Sequence, residues 1–73
     1  MHTNPPPDFL NFANLPDWVQ WLAQDANGTW WGYEAEPHQH HCGWYENEVG
    51  RSIRLGKRDA NPEWEMSLRE HQR

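Results

Sequence analysis

Residues 18–35, WVQWLAQDANGTWWGYEA, constrain the fold more than any other stretch of the chain. Two aromatic-rich runs flank Asp25-Ala26-Asn27-Gly28, and four of the six tryptophans lie here: Trp18, Trp21, Trp30 and Trp31. Asn-Gly between apolar runs signals a hairpin, because glycine enters the left-handed region at no steric cost. With Asp25-Ala26-Asn27 as a type I turn and Gly28 at the left-handed bulge position, Asp25 faces Thr29 and Ala23 faces Trp31. Val19, Trp21 and Ala23 then share a face with Trp31, Tyr33 and Ala35. Gln20, Leu22 and Gln24 share the other with Trp30, Gly32 and Glu34. A one-residue slip mixes apolar with polar residues on both faces, and such sorting is what specifies register. The first face is therefore predicted to be core, leaving Trp18, Leu22 and Trp30 on a mostly polar surface.

The chain has 73 residues, enough for one small domain with one modest core. Its aliphatic content is low, and without the tryptophans the composition would sit close to the disordered class. The lone Cys42 excludes an internal disulfide. No run reaches the length of a membrane span or a signal-peptide core, so a cytoplasmic protein is expected. A net charge of −5 argues against general nucleic-acid binding, which rests on lysine and arginine neutralising phosphates.

Residues 1–7, MHTNPPP, read as a flexible tail, and 8–73 as a single domain. Residues 8–15, DFLNFANL, have the spacing of one or two helical turns, with Asp8 as N-cap and Phe9, Phe12 and Ala13 on one face. This segment is a lid on the core or a mobile piece that rearranges around a partner. Residues 36–42, EPHQHHC, read as a loop. A second hairpin is predicted to pair 43–46 with 51–57 across an Asn47-to-Gly50 turn. Tyr45, Ile53 and Leu55 then face inward, and Trp44 lies over Arg54 as an exposed cation–π pair; in the alternative arrangement Cys42 and Trp44 face inward. Asn61-Pro62 is a helix start, with Trp64 and Leu68 on one side, so a helix is predicted from Pro62 to about Glu70. The expected class is α+β: a small three- to four-stranded antiparallel sheet made of two hairpins, a C-terminal helix and a short N-terminal helix.

His38, His40, His41 and Cys42 carry the ligand types of a zinc site. They crowd into five residues, where adjacent side chains diverge, and true sites pair two motifs distant in sequence. No metal and no cofactor are therefore assigned. Cys42 beside histidines is not the spatial arrangement of nucleophile and base, and no phosphate loop or triad is present. Glu34, Glu36, Glu46 and Glu48 read as solvated charges near strand ends. Arg51, Arg54, Lys57 and Arg58 form a basic run that solvates a strand, or steers an acidic partner or touches phosphate. The aromatic excess is more telling. Rigid rings bury much area at small entropic cost and concentrate in binding hot spots. Trp18, Trp30 and Trp44 are left partly exposed, and Tyr33, Tyr45, Ile53 and Leu55 line a cleft between the hairpins and the N-terminal segment, suited to a short apolar peptide.

WLAQDANGTWWGYEAEP, GWYENEVG, LG and ANPEWEMSLRE together resemble a pattern in small proteins of tailed bacteriophages. Its cues are a Trp-rich hairpin with an Asp-x-x-Gly turn and a late Asn-Pro-x-Trp helix, spanning about residues 15–70 here. In length and in its acidic, Trp-rich character the chain resembles the RNA-polymerase-binding transcription regulators of lytic Xanthomonas phages. That resemblance implies a non-enzymatic, monomeric regulator in the host bacterial cytoplasm. It would bind the N-terminal end of the RNA polymerase β′ subunit, block initiation by interfering with sigma-factor or promoter engagement, and promote antitermination. It assigns no contacts. The candidate contact residues, Trp18, Leu22, Trp30, Tyr33, Trp44, Tyr45, Ile53, Arg54 and Leu55, come from the pattern of the residues alone. The competing readings are a small nucleic-acid-binding module and an inhibitor of another host system, such as a defence nuclease. Direct nucleic-acid contact is not expected as the main mode, and no membrane is involved.

Overall fold

The computed structural model describes residues 10–46 and 50–71. The predicted tail, Asp8, Phe9 and the Asn47–Val49 part of the second turn lie outside them. Strands β1 (Trp21–Gln24) and β2 (Thr29–Tyr33) form the expected hairpin in the expected register, with Trp21 opposite Tyr33 and Gln24 opposite Trp30. The Gly28 N–H donates to the Asp25 carbonyl at 2.9 Å and the Asp25 N–H to the Thr29 carbonyl at 2.8 Å. Gly28 has φ +96°. A Cβ there would sit 1.9 Å from the Arg58 carbonyl oxygen, so conformation and close approach both require glycine.

Beyond this hairpin the architecture departs from α+β. Strands β3 (His38–His40) and β4 (Gly43–Tyr45) form a separate two-stranded sheet. Strands β5 (Ser52–Lys57) and β6 (Arg69–Glu70) flank the first hairpin to give an antiparallel sheet of order β5-β2-β1-β6. Two 3-10 turns, Phe12–Asn14 and Trp64–Met66, are the only helical elements of three or more residues among the described residues, so the fold is mostly β.

Three expectations are corrected. First, β5 pairs with β2, not β4. Gly32 faces Ile53 and Trp31 faces Arg54, and the register then skips Leu55 so that Trp30 faces Gly56. This pairing sets Ile53 beside Gly32 on the core face. A partner strand of three residues offers no comparable apolar stripe. Second, the His-rich stretch is not a loop. It forms a tight hairpin with His38 opposite Tyr45 and His40 opposite Gly43.

Third, the C-terminal helix is absent. Asn61 does cap: its Oδ1 accepts from the Glu63 N–H at 2.9 Å. The chain then makes only three-residue bonds, Trp64 to Asn61, Met66 to Glu63 and Ser67 to Trp64. Ser67 Oγ accepts from the Gln24 N–H at 2.8 Å, and residues 69–70 pair with β1. A helix of nine residues is marginal in water. Satisfying the otherwise open edge of β1 outweighs it.

The main buried cluster also lies on the other face of the hairpin, although Val19, Ala23 and Tyr33 of the expected core are buried as well. Leu10, Val19, Leu22 and Trp30 form the buried cluster, with Phe12, Leu15, Trp18, Ile53 and Leu55 packed against it. The N-terminal segment covers this face. Gly32 makes room for it, since a Cβ there would meet Val19 Cγ1 at 2.9 Å. The opposite face is covered only in part, by Trp44 and Trp64, whose rings meet edge-on at 6.1 Å. Apolar sorting along one hairpin fails here because chain covers both faces of the sheet.

Candidate functional site

The partly covered face carries Trp21, Ala23, Trp31 and Tyr33, alternating with the core residues along the pleat. Ala23 and Tyr33 are buried, whereas Trp21 and Trp31 are half-buried. A cleft of about 220 Å³ opens here, lined by Asp25, Trp31, Tyr33, Trp44, Tyr45, Glu46 and Ser52. It sits between β2, the first residue of β5 and the β3–β4 hairpin.

The Asp25 turn fixes the far wall. Asp25 Oδ1 accepts from the Trp44 N–H at 3.0 Å, and the Ala26 N–H donates to the Cys42 carbonyl at 2.9 Å. The Trp44 indole N–H donates to the Gln24 carbonyl at 2.9 Å. Gln24, read as a surface residue, is buried and hydrogen-bonded at both ends of its side-chain amide. Its Nε2 donates to the Gly28 carbonyl, and its Oε1 accepts from Asn61 Nδ2 at 3.0 Å. One polar side chain thus ties the turn, the hairpin and the C-terminal segment together, which makes the cleft a preformed feature.

Tyr33 is the floor, 4% exposed. Burial, then the nearby Asp25 and Glu46 carboxylates, push its phenol well above the ordinary tyrosine value. Tyr45 is the rim, 43% exposed. The His38 and His40 rings flank it at 5.8 and 5.5 Å.

The nine sequence-predicted contact residues separate into three groups. Tyr33, Trp44 and Tyr45 line the cleft. Leu22 and Trp30 are buried in the core, and Ile53, Leu55 and Trp18 pack against it. Arg54 is exposed beside the cleft, opposite Trp31. The expected Trp44–Arg54 pair is replaced by Arg51, whose guanidinium carbon lies 4.7 Å from the Trp18 ring centre. Arg51 also binds Glu34 at 2.9 Å, and these bonds hold the Glu34 carboxyl below the usual range. Trp18 and Arg51 therefore serve each other.

Sequence reasoning missed Trp31, Asp25, Glu46 and Ser52. Strand parity puts the adjacent Trp30 and Trp31 on opposite faces, so one of them has to leave the core, but parity alone does not say which.

Among the described residues no three histidine, cysteine, aspartate or glutamate side chains come together as a metal ion requires. Cys42 is free and exposed at the β3–β4 turn. No described helix is long and apolar enough to cross a membrane. Comparison with family models, with curated proteins and with solved structures finds no match. The phage-regulator resemblance therefore stands only on the residues quoted for it.

Proposed function

We propose that the protein is a non-enzymatic binding module that captures a short segment of a host protein in the Trp31–Tyr33–Trp44–Tyr45 cleft. The observation that carries this reading is the open aromatic cleft itself. Its volume of about 220 Å³ is below the roughly 300–1,000 Å³ of small-molecule sites. It has room for one large side chain of a segment lying across it, with Tyr45 at the rim adding contact area. The resemblance makes bacterial RNA polymerase the partner, at the N-terminal end of β′. The consequence there is repression of initiation, through sigma-factor or promoter engagement, and antitermination. The nucleic-acid alternative loses support, because Arg51 of its basic run is engaged by Glu34 and Trp18.

The test has two stages. Immobilised protein is exposed to purified bacterial RNA polymerase, and the retained subunits are identified. Abortive initiation by the sigma-containing holoenzyme is then measured with and without the protein. Retention through β′ with loss of initiation supports the reading, and Tyr45→Ala should weaken both. Retention of no polymerase subunit, or retention unaffected by Tyr45→Ala and Trp31→Ala together, overturns it.

A further inference from the structure

The cleft is not a neutral apolar slot. Its described lining holds two carboxylates, Asp25 and Glu46, and no basic side chain. Both act on a single point, the Tyr33 phenol at the floor. Trp31 and Trp44 also line the cleft, and indole is the ring type whose face attracts cations best. Asp25 is fixed through Oδ1 on the Trp44 N–H, so its charge is held rather than free to swing away. Arg54 stands outside the lining, opposite Trp31, and marks the end of the cleft a cation would avoid. Across the whole chain, the net charge of −5 adds long-range attraction for a positive partner.

From these observations we infer that the cleft is an anchor pocket for one cationic side chain, a lysine or arginine of the captured segment. The alkyl stem lies on the Trp31 and Trp44 rings, and the head group sits between Glu46 and Asp25 over Tyr33. This deepens the binding-module reading and rests on the same cleft. It commits the segment to a basic residue at its centre, where an aromatic slot alone would accept leucine or phenylalanine equally well. The aromatic walls lower the solvent exposure of the head group, which strengthens its attraction to the carboxylates.

The test uses the full chain, isotope-labelled, titrated with three probes of similar stem: N-acetyl-lysine amide, N-acetyl-arginine amide and N-acetyl-norleucine amide. The two cations should produce saturable shifts at the Trp31 and Trp44 indole N–H signals. Norleucine should bind at least about tenfold more weakly, and Glu46→Gln should weaken the cations by about tenfold while leaving norleucine unchanged. Overlay of the remaining amide signals shows that the variant is folded. Equal binding of norleucine, insensitivity to Glu46→Gln, shifts away from the cleft or no saturable shift overturns the inference. The two proposals fail separately. Polymerase retention without cation selectivity removes the anchor and leaves the partner. Cation selectivity without retention removes the partner and leaves the anchor.

Discussion

Trp30 and Trp31 are adjacent in β2 and face opposite ways, and replacing each with alanine should have opposite consequences. Trp30 is 7% exposed and belongs to the core cluster with Leu10, Val19 and Leu22. A tryptophan so placed removes about 200 Å² from water, about 5 kcal/mol at 25 cal/mol per Å². A partly compact unfolded chain trims this to about 3–4 kcal/mol, inside the range of about 3–5 kcal/mol for Trp→Ala in cores. A domain of this length holds only about 4–11 kcal/mol in all, with small domains near the lower end. Trp30→Ala should therefore leave much of the population unfolded. Trp31 is half-buried on the cleft face. Its removal forfeits about 2 kcal/mol or less and should leave a folded protein that no longer binds. Urea unfolding followed by far-UV circular dichroism separates the two, with an unchanged m-value showing that cooperativity survives. A stable Trp30→Ala beside an unfolded Trp31→Ala would refute the placement of the core.

Three further outcomes are expected. Gly28→Ala forces a left-handed residue and a clash with the Arg58 carbonyl, so it should cost about 2–4 kcal/mol; a thermal melt reads this directly. Ser67→Ala leaves the buried Gln24 N–H without its partner, at about 1–3 kcal/mol, and amide exchange at Gln24 should accelerate. The raised Tyr33 phenol sets an alkaline limit. Its folded-state value lies above the unfolded one, so its contribution is complete below about pH 10 and is lost as pH rises toward the folded-state value. Urea midpoints should fall as pH rises through that window, and Tyr33→Phe should flatten the dependence.

The hairpin and its register were legible because turn chemistry and apolar alternation agree over a short stretch. Asp25-to-Gly28 demanded one turn, and the flanking rings admitted one pairing. The covered face was not legible. It depends on where residues 10–19 return to the sheet, and Leu10 and Leu15 carry no local mark of which side they take. The fate of residues 62–70 was likewise non-local. The Asn61 cap and the Trp64–Leu68 spacing favour a helix, while the open edge of β1, more than 40 residues earlier in the chain, recruits Ser67 and Arg69. The cleft is half legible: Tyr33, Trp44 and Tyr45 are expected contact residues and do line it, but the expectation for Trp44 and Tyr45 runs through a strand pairing that does not form. In the sequence Asp25 reads only as a turn residue, although the turn also places its carboxylate in the cleft lining beside the Trp44 backbone.

On the proposed function, the cleft face, and not the N-terminal face, meets the partner. Cross-saturation from an unlabelled β′ N-terminal fragment to the labelled protein tests it most directly. Attenuation should concentrate at Trp31, Trp44, Tyr45 and Glu46, with Trp18, Leu22 and Trp30 unaffected. Attenuation centred on Trp18 and the segment 10–15, with the cleft silent, would contradict it.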